Sequence, residues 1–110
     1  MKPFVVLDLD KQRKLKFTLS AMVELEESTD IKLSQLEDGE TSAKKITQVL
    51  WIMLKQDDPD LTFEQTMKLV DEYAPDMLTV INAVNKAVNL AFISKKENES
   101  PNAKTSSAKS

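Results

Sequence analysis

The chain has 110 residues and a net charge of −3, and it contains neither Cys nor His. One domain fits this length. The lack of Cys excludes disulfides and thiolate metal sites, and the lack of His removes the commonest general base and metal ligand. The net negative charge does not suggest a basic surface for nucleic acid, and no apolar run is long enough to cross a bilayer. We therefore expect no nucleic acid and no membrane among its partners.

Two segments near the N-terminus have the pattern of β-strands. Residues 4–9, FVVLDL, are apolar and β-branched, and residues 13–19, RKLKFTL, alternate between polar and apolar. Asp10-Lys11 is a plausible reversal between them. The alternation predicts three side chains on the apolar face of the second strand: Leu15, Phe17 and Leu19. Because an isolated hairpin is only marginally stable, this face should pack on the helices or on a neighbouring subunit.

A short helix and an irregular stretch are predicted next. Ser20 is a good N-cap for residues 21–27, AMVELEE, whose glutamates should be solvated. The following residues, 31–41, have no clear period, and Asp38-Gly39 marks a turn. Three apolar residues are expected to anchor this stretch to the core: Ile31, Leu33 and Leu36.

The strongest helical signal lies at residues 43–55. Apolar residues recur there at spacings of three and four: Ile46, Val49, Leu50, Met53 and Leu54. Pro59, in the acidic corner Asp57-Asp58-Pro59-Asp60, ends the pattern. Ile52 lies off the stripe, which leaves two interpretations open, a second packing face inside the domain or a contact with another chain.

A third helix is predicted over residues 63–73. Thr62 and Gln65 have the spacing of a capping box at its start. Its expected apolar stripe contains Phe63, Met67, Val70 and Ala74. Pro75 interrupts the pattern, so the chain should fold back on itself before the next helix.

The last predicted helix, residues 77–93, has an unusually broad apolar face. Asp76 can cap its start. The face covers an arc of about 200°, whereas a surface helix needs about 100°. Its members are Val80, Ile81, Ala83, Val84, Ala87, Val88, Leu90, Ala91 and Phe92. Two interpretations stay open: this is the central helix of the bundle, or part of the arc is exposed and receives a partner.

The C-terminal residues 94–110 contain no large apolar side chain. Such a segment buries too little surface to order itself, so we predict a disordered tail. Residues 1–93 then form one helical domain. The predicted fold class is mainly α with an N-terminal β-hairpin, in which about four helices form a small bundle packed on the two strands.

No stretch of the sequence is a catalytic or metal-binding signature. An EF-hand loop counted from Asp8 would need Gly at Arg13 and Glu at Leu19, and both requirements fail. The acidic corner around Pro59 reads more simply as a turn than as a weak cation site. No Gly-rich phosphate loop is present, and no carboxylate pair is singled out. We expect a protein that is not an enzyme and that needs no cofactor and no metal.

Two stretches of the sequence resemble a known family. The opening VVLDLDKQRKLKFTLSAMVELEE and the middle VLWIMLKQDDPDLTFEQ are similar to tail assembly chaperones of long-tailed, siphovirus-type bacteriophages. The shared features are a hairpin around a Leu-Asp-Leu-Asp turn, a short Glu-rich helix, a Trp-bearing helix and an Asp-Pro corner. The likeness covers roughly residues 5–73.

The resemblance implies a function in virion assembly. Such chaperones bind and solubilise the tape measure protein, recruit tail tube subunits, and often form homo-oligomers. They act in the host cytoplasm and are absent from the mature virion. Many also exist in a longer frameshifted form, for which an A-rich run encoding Lys95-Lys96 is a candidate slippage site.

The candidate partner-binding residues combine the last helix with the off-stripe isoleucine. They are Ile52, Val80, Ile81, Val84, Val88 and Phe92. A wide apolar surface is what helix-in-groove recognition of a client requires. The alternative function is a small acidic regulatory adaptor or inhibitor that binds a single host protein through the same apolar surface.

Overall fold

The computed structural model describes residues 4–36 and 42–99 of the chain. In chain order these residues form strands β1 (Val5–Asp8) and β2 (Gln12–Leu15), helix α1 (Leu19–Ser28), a short 3-10 helix (Leu33–Leu36), and helices α2 (Ala43–Lys55), α3 (Phe63–Tyr73) and α4 (Met77–Glu99). The fold is mainly α with an N-terminal hairpin, as the sequence predicted. The predicted turn at Asp38-Gly39 and residues 100–110 of the predicted tail lie outside the described residues.

The N-terminal hairpin packs on the helices of its own chain. Its strands are antiparallel, with Val5 opposite Leu15 and Asp8 opposite Gln12. The inward side chains of β2 are Leu15 and, against expectation for a charged residue, Arg13. Helix α4 contacts both strands and α2 contacts β2, so these two helices provide the apolar support that a lone hairpin lacks.

Helix α1 begins earlier than predicted and turns one predicted core residue outward. The N-cap is Thr18, whose Oγ1 accepts a hydrogen bond from the Ala21 N–H at 3.2 Å, and not Ser20. The predicted inward side chain of Leu19 is 73 % exposed. Because Leu19 is the first helical residue, the period changes from 2 to 3.6 there and rotates its side chain away from the core.

The stretch after α1 is anchored as the sequence predicted. Thr29 caps the C-terminal end of α1, donating from its hydroxyl to the Leu25 carbonyl at 2.7 Å. The same hydroxyl accepts from the Ile31 N–H at 3.0 Å. Ile31 and Leu36 are buried in the core, and Leu33 packs against it. The chain therefore stays attached to the core up to the end of the 3-10 helix.

Helix α2 occupies the centre of the bundle. It contacts α1, α3, α4 and β2, whereas the main contacts of α4 are with α2 and the hairpin. Its whole predicted stripe is buried: Ile46, Val49, Leu50, Met53 and Leu54. Ile52 is buried as well, so the second packing face is the interpretation that the structure supports. The central helix is α2, and α4 covers one side of it.

A tight corner leads from α2 to α3. The Leu61 N–H donates to the Asp58 carbonyl at 3.0 Å across a turn that has Pro59 at its second position. The predicted capping box of Thr62 and Gln65 is present in both directions, at 2.9 and 3.0 Å. The sequence therefore located both the end of one helix and the start of the next.

The buried face of α3 is rotated from its predicted stripe. Thr66 is fully buried, while the predicted core residue Met67 is 40 % exposed. The Thr66 hydroxyl donates to the Thr62 carbonyl at 3.0 Å, which satisfies its polar group inside the core. A self-satisfied threonine can thus take a core position that a hydrophobicity count gives to methionine.

Helix α4 begins where the sequence predicted and runs further. Asp76 accepts from the Thr79 N–H at 2.7 Å and so caps its start. The predicted end was near Ile93, but the helix continues to Glu99, through the first residues of the predicted tail. The polar strip of α4 faces outward, as the exposed side chains of Asn82, Lys86 and Asn89 demonstrate.

Candidate functional site

The six predicted partner-binding residues fall into two groups in the structure. Four of them are at most 2 % exposed: Ile52, Val80, Val84 and Val88. They belong to the single core and do not form a surface of this chain. Two of them, Ile81 and Phe92, are half-buried at the rim of that core. Only the latter pair is placed where another molecule can touch it.

The exposed side of this rim is completed by a residue that the sequence arguments missed. Leu78, in the first turn of α4, is 65 % exposed. Leu78, Ile81, Asn85 and Phe92 are separated by three, four and seven residues, so they follow one edge of the helix. We call these four residues the edge stripe. The spacing from Leu78 to Ile81 was the available signal, but Leu78 lay outside the arc chosen for the apolar face.

The edge stripe is held in place at both ends. At the start of α4, the Thr79 N–H donates to the Asp76 carboxylate and holds the pKa of that group below its ordinary value of 3.8. Towards the other end, the Phe92 ring meets Phe17 edge-on, with centroids 6.4 Å apart and an interplanar angle of 84°. This ring pair joins the stripe to the segment between the hairpin and α1.

Further apolar side chains are exposed close to the start of the stripe. Tyr73 and Met77 flank the Pro75 corner and are 49 % and 38 % exposed. With Leu78 they concentrate apolar surface within six residues of chain. A concentration of this kind is more informative than apolar residues scattered singly over a surface.

A second, smaller apolar surface lies on α1. Leu19 and Val23 are both exposed, and their spacing of four puts them on one face of that helix. Glu24, next to Val23, was predicted to be solvated, but it contacts α2. Its Oε2 is 2.6 Å from Lys55 Nζ, and its Oε1 accepts a hydrogen bond from Gln56 Nε2 at 3.3 Å. The side of α1 that carries Glu24 is therefore joined to the C-terminal end of α2.

Trp51 connects α2 to the corner that precedes α3. Its indole Nε1–H donates to the Leu61 carbonyl at 2.9 Å, and its ring meets Phe63 edge-on at 5.8 Å. The Lys55 ammonium lies 5.0 Å from the centre of the indole ring. The partly buried Trp51 therefore forms a local cluster with other residues of the same chain, on the flank of α2.

A cleft beside the hairpin is lined by four carboxylates. It measures about 420 Å³ and is lined by Asp10, Arg13, Asp58, Asp60, Leu61, Gln65, Lys68, Leu69 and Glu72. The centre of the charge network is Arg13, which binds Asp10 through two hydrogen bonds of 3.0 Å. Its Nη1 also lies 3.6 Å from Asp58.

Two carboxylates of this cleft, Asp10 and Asp58, pair with the buried guanidinium. Arg13 is only 7 % exposed, and a buried charge is costly unless it is paired. Hydrogen bonds from Arg13 lower the pKa of Asp10 below 3.8, against the partial burial that would raise it. A general acid needs the opposite shift. The network joins the hairpin turn to the α2–α3 corner. Arg13 is two residues from Leu15 on β2, and this spacing was the sequence signal that the Arg13 side chain points inward.

Residues 4–36 and 42–99 offer neither a metal-binding cluster nor a membrane-spanning helix. Over those ranges, no group of three or more Asp, Glu, His or Cys side chains could hold a metal ion. None of the helices formed there is both long enough and apolar enough to cross a bilayer.

Comparison of the chain with protein-family models, with curated protein sequences and with solved structures finds no significant match.

Proposed function

We propose that this chain is a non-catalytic, protein-binding tail assembly chaperone of a long-tailed bacteriophage. The observation that carries the proposal is the edge stripe of α4, in which three of the four residues are apolar, beside the exposed Tyr73 and Met77 on an otherwise well-packed small domain. The resemblance of residues 5–73 supplies the client, the tape measure protein.

A long helical client suits the geometry of the edge stripe. Residues three, four and seven apart along one helix match the anchors that a second helix presents. A tape measure protein is a long helical chain whose apolar stripes would aggregate if left bare. Many copies of this domain, each covering one short segment, would keep it soluble. The acidic balance of the chain, −3 overall, would help to keep the coated complex dispersed.

Four further properties belong to the same proposal. The chaperone recruits tail tube subunits, forms homo-oligomers, acts in the host cytoplasm and is left out of the mature virion. A longer frameshifted form would be encoded by a slippery heptamer near the codons for Lys95-Lys96. The nucleotide sequence decides that last point, because a run without such a heptamer rules out slippage at this place.

Co-expression with the tape measure protein tests the proposal directly. The wild-type chain should recover the client in soluble complexes that contain many copies of the chain. Leu78→Glu should abolish this solubilisation, because a carboxylate at an apolar helix contact loses its hydration without gaining a partner. The variant should fold normally, since Leu78 is 65 % exposed and an acidic residue suits the first turn of a helix.

Leu19→Glu provides the matched control. It makes the same substitution, also in the first turn of a helix, at a leucine that is 73 % exposed on α1. This variant should solubilise the client as well as the wild type does. Retained solubilisation by folded Leu78→Glu would disprove the edge stripe as the client site. A stable one-to-one complex of the wild-type chain with a host protein, without tape measure binding, would instead establish the adaptor function.

A further inference from the structure

We propose that a groove between β2 and the C-terminal end of α2 binds an extended, acidic segment of a partner polypeptide. The groove measures about 410 Å³, and its walls carry the basic side chains of Lys11, Arg13, Lys14 and Lys16 beside a single carboxylate, that of Asp57. It is separate from the edge stripe, so the inference does not depend on the proposed chaperone function.

The groove concentrates positive charge in an acidic chain. Residues 11–16, KQRKLK, contain four of the 15 basic residues of a chain whose net charge is −3. Arg13 is already paired with Asp10 and Asp58. Lys16 and Asp57 are both solvent-accessible, and their charges are 3.9 Å apart, which makes a weak pair.

Two lysines of the groove form no salt bridge within the described residues, although the charge of Lys11 helps to lower the pKa of neighbouring Asp10. Neither Lys11 nor Lys14 takes part in an ion pair there. The residue opposite Lys14 in the hairpin is Val6, which brings no opposite charge. Lys14 Nζ lies 5.2 Å from the centre of the Phe4 ring, which orients the ammonium without neutralising it. Carboxylates from outside the chain would supply the missing partners.

The shape of the groove favours an extended occupant. Residues of both alternating sets of β2 line it, for example Arg13 and Lys14, so it runs along an edge of the strand and not over one face. In the described part of the chain β2 pairs only with β1. The other edge of β2 is therefore where an extended segment can add as a further strand.

The surrounding charges favour an acidic polypeptide over a nucleic acid. Asp57 lines the groove itself, and Asp58 and Asp60 follow it at the corner between α2 and α3. A nucleic acid carries a negative charge on every phosphate, so the part of it that extends beyond the groove would be repelled by these carboxylates. The four residues of β2 span only about 13 Å, a length that a short acidic peptide matches.

Fluorescence anisotropy with a labelled peptide of alternating Glu and Thr, about eight residues long, tests the proposal. The wild-type chain should bind it, and the Lys11→Glu/Lys14→Glu variant should bind about tenfold more weakly. The control is Lys32→Glu/Lys86→Glu, which reverses two exposed lysines away from the groove. Each double variant changes the net charge from −3 to −7, because each reversal contributes −2.

Only local charge recognition predicts a difference between the two double variants. The control should stay within about twofold of the wild type at an ionic strength of about 0.15 M, where distant charges are screened over about 8 Å. Equally weakened binding by both variants, or no binding by the wild-type chain, would overturn the proposal that this groove is the binding site. If a single-stranded oligonucleotide with the same number of charges binds more tightly than the peptide, the occupant of the groove is not a polypeptide. Circular dichroism of each variant establishes that it is folded.

Discussion

Arg13 shows how one side chain can join two parts of a small fold. Its guanidinium is buried and satisfied by Asp10 within the hairpin turn and by Asp58 at the α2–α3 corner. The first partner is three residues away in sequence and the second is 45 residues away. A buried charge of this kind contributes specificity to the docking of the hairpin, because any other arrangement would leave it unpaired.

Arg13→Met should lower the free energy of unfolding by about 2 kcal/mol, since it removes charge-assisted hydrogen bonds while preserving much of the side-chain volume. The loss is held to this size because Asp10 and Asp58 are partly exposed and can be rehydrated. Chemical denaturation measures the change. Lys68→Met, an exposed lysine that lines the same cleft, should change stability by less than about 0.5 kcal/mol.

The Asp10–Arg13 pair should also make stability depend on acid. Because the folded-state pKa of Asp10 is lowered below 3.8, its contribution is complete above that pH and is lost as the pH falls through the lowered value. Asp10→Asn should therefore be less stable than the wild type at neutral pH and converge with it towards about pH 2. Urea denaturation over a pH series measures this, and the difference should shrink in an Arg13→Met background, where only the backbone and charge of Lys11 still lower the pKa of Asp10. A difference that is constant with pH would contradict the assignment.

At the scale of the elements, helix boundaries depend on which residue captures the first free N–H groups. The sequence offers two neighbouring hydroxyl residues at the start of α1, Thr18 and Ser20. Both are good caps, so composition alone does not choose between them. The structure places Phe17 in the core and begins the helix at Leu19, which leaves Thr18 in the capping position.

Thr18→Ala should cost about 1 kcal/mol of stability, because it removes the side-chain acceptor for the Ala21 N–H. Ser20→Ala should change stability by less than about 0.5 kcal/mol, since Ser20 lies inside the first turn and alanine favours a helix. Thermal denaturation of the two variants compares the two candidate caps. A larger loss for Ser20→Ala would mean that the helix begins where the sequence pattern alone predicted.

At the scale of the whole molecule, one core connects every described element. Leu7 and Leu15 of the hairpin, Leu25 of α1, Leu50 of α2 and Val84 of α4 all belong to a single buried cluster. Because α2 touches most of the other elements, loss of packing at one of them is felt by the rest. The chain should therefore unfold as one cooperative unit.

Val84→Asp should unfold the chain and should not selectively remove a binding site. Val84 is 1 % exposed, and an unpaired carboxylate in that position costs several kcal/mol. Asn82→Asp, on the exposed face of the same helix, should leave the thermal transition almost unchanged. Circular dichroism melting compares them. A folded Val84→Asp variant that has lost only client binding would restore this residue to the binding surface.

The sequence by itself determined the fold class, the start and end of α2, the capping box of α3 and the cap of α4. The helix boundaries and caps among these features depend on residues within one or two turns of each other, such as Thr62 with Gln65 and Asp76 with Thr79. Local hydrogen bonds and the stereochemistry of proline act over that distance, so they can be recognised from spacing.

Only the tertiary structure decided which apolar and charged side chains face inward. Val84 and Val88 were predicted to bind a partner but are buried, because α2 and the hairpin cover most of the broad face of α4. Ile52 was predicted to do the same but is buried on α2, which contacts α1, α3, α4 and β2. The buried position of Arg13 is stabilised by Asp58, a partner that is distant in sequence. Burial depends on what the rest of the chain places against a residue, and the periodicity of one segment does not contain that information.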